Sequence, residues 1–100
     1  YYLGGQVPFH PVTGEVVGNG MKEQAVQTLA NMKAVLEAAG LAVTDIAKTT
    51  VFVTNMDDFA AFNEVYAAFM GEHRPARVCV EVSNIAHGCL LEMDAICFKE

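Results

Sequence analysis

The sequence predicts an α+β fold, a mixed β-sheet with two helices laid on one of its faces. Three observations carry that expectation. One long segment repeats its apolar residues at helical spacing, several short segments are β-branched or strictly alternating, and Gly, Pro and Asn clusters separate them. The order is strand, helix, strand, helix, strand, strand.

Tyr1 to Leu3 is a short aromatic and apolar run, stopped by Gly4-Gly5. The chain opens inside what reads as a strand, so a further segment is expected ahead of it, the rest forming one domain over residues 1–100. Gln6 to Gly14 holds Pro8, Pro11 and Thr13-Gly14, all turn chemistry. Glu15-Val16-Val17 follows as a brief strand or hairpin arm, and Gly18-Asn19-Gly20 punctuates the chain before the first helix. In that helix Met21, Ala25, Leu29, Met32, Leu36 and Ala39 recur at spacings of four, four, three, four and three, one apolar stripe. Asn19 is the expected N-cap and Gly40 the left-handed residue that ends it.

Ile46 to Thr54 is rich in β-branched residues and reads as a central strand. Asn55 or Asp57 caps the second helix, whose stripe is Phe59, Phe62, Tyr66 and Phe69, and Gly71 closes it. That aromatic row reads as core packing. From Arg77 to Ser83 the chain alternates: Val78, Val80 and Val82 point one way, Arg77, Cys79, Glu81 and Ser83 the other. Leu90 to Phe98 is the last strand, with Leu91, Met93, Ala95 and Cys97 on one face and Glu92, Asp94 and Ile96 on the other. A helix between two strands favours parallel pairing. The short link between the final two favours an antiparallel hairpin. One face of this sheet has no helix to cover it, so a symmetric oligomer packing there is expected.

Composition narrows the function. Of 100 residues, 53% are apolar and 18% are charged, well outside the disordered range. Six Lys and Arg against twelve Asp and Glu give a formal charge of −6, which disfavours nucleic acid, since phosphate affinity rests on Lys and Arg. The apolar runs are far too short to span a bilayer. Cys79, Cys89 and Cys97 are odd in number and lack a CxxC spacing, so reduced thiols in a cytoplasmic protein are expected rather than a disulfide framework or zinc. His10, His73 and His87 fall in loops without metal-ligand spacing.

Three features could carry chemistry. Arg77 opens a strand after Pro75-Ala76. A strand-entrance arginine is more often a solvated charge, yet its planar fork is also the best one-residue receptor for a carboxylate. Glu92 stands among Leu90, Leu91, Met93 and Ala95, where a carboxylate needs a partner or a cleft. The Gly4-Gly5-Gln6 turn could let bare backbone approach a ligand.

Read together, Gly5-Gln6-Val7-Pro8, Thr13-Gly14-Glu15, Gln27 to Lys33, Ala38-Ala39-Gly40-Leu41, Lys48 to Val53, Asp58-Phe59 with Asn63 and Tyr66, Pro75 to Val82 and Leu91 to Ala95 resemble the RidA (YjgF) family along essentially the whole chain. The Pro-Ala-Arg strand and the later Glu are its specific signature. The resemblance implies a chorismate-mutase-like fold, a homotrimer whose sheets form a central barrel, and a site in each cleft between subunits. It also implies cofactor-independent, metal-free hydrolysis of enamines and imines such as 2-aminoacrylate, 2-iminopropanoate and 2-iminobutanoate to 2-oxo acids and ammonia. On it, Arg77 grips the substrate carboxylate, Glu92 activates water, the Cys79 backbone positions it, and Gly5, Gly4 and Asn63 line the substrate. Two departures stand out: Gly4 replaces the family's usual Ser or Thr, and no position matches the pocket Tyr on the family's first strand. A non-catalytic module binding small carboxylates in the same cleft is the alternative.

Overall fold

The computed structural model describes residues 1–100. Strand β1 (Tyr2–Gln6) leads into a loop whose Phe9 bridges Val16 antiparallel, the expected hairpin arm reduced to one contact. Helix α1 (Met21–Ala38) buries Met21, Ala25, Leu29, Met32 and Leu36, the stripe its spacing implies, together with Gln24 and Thr28. Its N-cap is Gly20 rather than Asn19. The helix starts at the first residue that reaches the core, Met21, which leaves Asn19 one position too early for its side chain to meet the free amides. At the other end Gly40, at φ +74°, and Leu41 donate their amides to Glu37 and Leu36 carbonyls, a Schellman termination.

A 3₁₀ turn (Val43–Asp45) precedes β2 (Ile46–Val53). A second 3₁₀ turn (Met56–Asp58) is capped by Asn55, whose Oδ1 accepts from the Asp57 amide at 2.9 Å, and feeds α2 (Phe59–Met70). Gly71 at φ +64° ends that helix. Strands β3 (Ala76–Glu81) and β4 (Leu91–Cys97) follow, separated by a loop with a short 3₁₀ turn (Ala86–Gly88).

The strands lie side by side in the order β1-β4-β2-β3. β2 and β3 are parallel across α2, as a helical connection requires. β4 does not form the expected hairpin with β3; it inserts between β1 and β2, antiparallel to both. Burial explains the choice. Leu91, Met93, Ala95 and Cys97 are all at most 3% exposed, which an outer position beyond β3 would not give them. β3, with its exposed valines, takes the edge instead.

Both helices cover the same face. The core joins Met21, Leu29, Met32 and Leu36 of α1 and Phe62, Tyr66 and Met70 of α2 to Val51, Val53, Leu91 and Met93 of the sheet. The opposite face is bare: Tyr2 is 86% exposed, Val78 44%, Val80 39% and Ile96 37%. The three cysteines are free thiols, Cys89 and Cys97 buried and Cys79 half-buried.

Candidate active site on two faces of one sheet

Arg77 enters β3 with its side chain on the helix-covered face. Alternation along the strand places Val78 and Val80 outward and leaves Arg77 and Cys79 half-buried beneath α2. The guanidinium carbon lies 4.8 Å from the centre of the Tyr66 ring and 5.2 Å from that of Phe59. Asn63 accepts from Nη1 through its Oδ1 at 2.5 Å. Residues 59, 63 and 66 stand on one face of α2 because helical neighbours recur at three and four residues. Tyr66 is itself fixed: its hydroxyl bonds the buried Thr49 Oγ1 at 2.8 Å, and Thr49 is the β2 residue paired with Arg77. Stacking on aromatic faces and one amide hydrogen bond therefore set the plane of the guanidinium.

What this cation lacks is an anion. The one ion pair in the chain joins Lys22 to Glu64 at 3.1 Å, on the surface. Arg77 instead borders a cleft of about 540 Å³ that it shares with Asn63, Tyr66, His73, Arg74 and Pro75. Arg74 turns its own donors onto the Gly71 and His73 carbonyls. A half-buried guanidinium with donors to spare is a receptor for a carboxylate. Cys79 lies two residues along the same face. Burial pushes its thiol up, the charge of Arg77 opposing only in part, so it is neutral at physiological pH and poorly suited to be a nucleophile.

Glu92 is on the other face. It pairs with Phe52 across β2 and is half-buried on the side that carries no helix. Its carboxylate lies over Gly5 so closely that a Cβ built there would be 2.2 Å from Oε2. A side chain at Gly5 would therefore push the Glu92 carboxylate out of this position, while nothing comes within 4 Å of a Cβ at Gly4. The sheet is irregular between Leu3 and Gln6, which is where this backbone bends past the carboxylate. Glu92 borders its own cleft, of about 270 Å³, with Phe52, Val82, Asn84, Ile85 and Ala86.

The residues expected to act together thus fall into two groups within one chain: Arg77, Asn63 and Cys79 under α2, Glu92 and Gly5 on the bare face. Sequence reasoning missed Phe59, Tyr66 and Thr49 as parts of the arginine cradle. The signal was available in the spacing of Phe59, Asn63 and Tyr66, which puts a polar residue inside an aromatic row.

The family model described as endoribonuclease L-PSP matches residues 1–99. The chain belongs to this family, that of RidA (YjgF). A RutC family protein of Pyrococcus horikoshii is 50% identical over 99 residues, covering 99% of this chain and 79% of its own length. The 2-iminobutanoate/2-iminopropanoate deaminase of Escherichia coli is 49% identical, with 95% of this chain and 76% of that protein covered. Among solved structures, Escherichia coli TdcF with bound serine superposes with a TM-score of 0.92 at 43% identity, over 99% of this chain and 80% of that one. The α+β architecture of this RidA-family domain is the one those structures show, and no helix in it is long and apolar enough to cross a membrane.

Proposed function

We propose that the protein is a cofactor-independent imine deaminase that hydrolyses 2-aminoacrylate, 2-iminopropanoate and 2-iminobutanoate to 2-oxo acids and ammonia. The observation that carries this reading is the unpaired Arg77 fork, oriented by Phe59, Tyr66 and Asn63 at the edge of a cleft. The site is completed between copies: Arg77 and Cys79, on the edge strand β3 of one, meet Glu92 and Gly5 of a neighbour in a homotrimer whose copies adjoin along that edge as well as the bare sheet face. One copy alone cannot bring the two groups together, because they project from opposite sides of the same sheet.

The chemistry needs little more than placement, since a protonated imine is already electrophilic. Arg77 holds the substrate carboxylate through paired charge-assisted hydrogen bonds. Glu92 takes a proton from water as its oxygen bonds to the imine carbon, giving a carbinolamine. The same carboxyl returns that proton to the nitrogen and accepts the hydroxyl proton as the carbon–nitrogen bond breaks. The departing ammonia carries that proton off as ammonium, which restores the carboxylate. The enamine 2-aminoacrylate enters the sequence after tautomerising to 2-iminopropanoate. The products are a 2-oxo acid and ammonia. The Cys79 backbone positions the water.

A coupled assay that generates 2-aminoacrylate in situ tests this. Pyruvate release above the spontaneous rate, lost in Arg77→Ala, is expected; release at the spontaneous rate with both proteins overturns the reading. Gly4, where the backbone is open and no hydroxyl is offered, favours the alternative of a small-carboxylate sensor, which calorimetry would reveal as tight 2-oxobutanoate binding without turnover.

A further inference from the structure

Building on the deaminase reading, we propose that the cleft beside Glu92 receives the substrate's side chain, and that Phe52, Val82, Ile85 and Ala86 set which 2-imino acids are accepted. A 2-imino acid presents three things at its reacting carbon: a carboxylate, the C=N nitrogen and a side chain. Arg77 of one copy takes the first, and Glu92 must lie near the carbon to deliver water. The side chain then has to leave past Glu92, and the space next to that carboxylate is this cleft.

Its lining states the preference. Phe52 stands directly across the strand from Glu92, and Val82 and Ile85 close the space behind it, Ile85 being only 8% exposed. Ala86 sits at the open rim, in the first position of the 3₁₀ turn, where a small residue leaves the mouth wide. Asn84 is the one other polar lining residue, and its Oδ1 is engaged, accepting from the Ile85 amide at 3.1 Å. A volume of about 270 Å³ is several times the ~30 Å³ that one water takes in the liquid, so the cleft holds more than a methyl group. The fit is to unbranched and branched aliphatic side chains. An acidic side chain would bring a second carboxylate against Glu92 and is refused.

The test is a selectivity ratio. An amino-acid oxidase supplies 2-imino acids from alanine, 2-aminobutanoate, norvaline, leucine and aspartate, and oxo-acid formation is timed against trapping by semicarbazide. For the unaltered protein kcat/KM should rise about fourfold with each methylene from alanine to norvaline, and the aspartate-derived imine should be the poorest. Ala86→Phe, which plugs the mouth, should cut the leucine-to-alanine ratio by about tenfold. Phe52→Ala, which widens the floor, should move the ratio the other way. Turnover with ratios unmoved by both variants overturns the pocket assignment and leaves the deaminase standing. No turnover of any imine removes both.

Discussion

The two faces of this sheet are finished in different ways. On the covered face the groups around Arg77 already have their neighbours: Thr49 bonds Tyr66, the Tyr66 and Phe59 rings lie against Arg77, and Asn63 takes one of its donors. On the bare face Glu92 has Gly5 beneath it and Phe52 beside it, while Tyr2, Val78, Val80 and Ile96 stand in the open. One face holds a finished receptor without an anion; the other holds an acid at the edge of an uncovered apolar surface. In register the two are three residues apart along β2, at Thr49 and Phe52, roughly 10 Å, and on opposite sides of the strand. The difference is what the proposed function turns on: one chain carries Arg77 and Glu92 on opposite faces of its sheet, so a site using both has to be shared between copies.

Variants of each half sharpen that contrast. Glu92→Gln keeps the shape and removes the proposed proton shuttle; kcat should fall about 10²–10⁴-fold with the proposed trimer intact by sedimentation. Arg77→Ala should cost about 10²–10³ in kcat/KM, chiefly through KM, since paired hydrogen bonds to a charged group are lost. Ile96→Asp puts a carboxylate on the bare face near the end of β4, between Tyr2 and Lys48. It should dissociate the assembly and abolish turnover without unfolding the chain, whose core lies on the other side, and a species that stays associated would contradict this. Tyr66→Phe leaves the Thr49 hydroxyl buried without its partner. That should cost about 1–3 kcal/mol in denaturant unfolding and loosen Arg77 enough to raise KM several-fold.

The smallest effect expected is in the thiols. Burial raises Cys79, Cys89 and Cys97 above the ordinary thiol value, Glu92 adding to the rise at Cys89 and Asp45 at Cys97. A raised pKa in the folded state means that the stabilising contribution is whole below the unfolded thiol value, near 8.5, and is lost as pH climbs through the folded one. Stability should therefore be flat in this respect up to about pH 8 and decline above it, and alkylation of the native protein at pH 7 should be slow.

Much of the fold was legible in the sequence because its signals are local. The Met21 to Leu36 stripe, the Gly40 and Gly71 terminations and the β-branched Ile46 to Val53 segment each depend on a few neighbouring residues. The hairpin expectation failed because strand pairing is not local: a short link between two strands does not show that β2 has a free edge better able to bury Leu91 and Met93. For the site, alternation told that Arg77 and Cys79 share a face but not which one. Three valines argue for the inside, yet Val78 and Val80 face out and the arginine lies under the helix, because α2 offers it two rings and an amide. Glu92 was legible as a carboxylate in an apolar strand, but its closeness to Gly5 was not, since that contact joins residues at opposite ends of the chain.

Subunit complementation probes the shared site most directly. Chains carrying Arg77→Ala and chains carrying Glu92→Gln, each nearly inactive alone when assayed well below the native KM, are unfolded together in equal amounts and refolded. If each site takes its arginine from one copy and its acid from the next, about one site in four is intact in a random closed ring, and roughly a quarter of the native rate returns. A mixture as inactive as its two components would mean that the groups never serve the same site across copies.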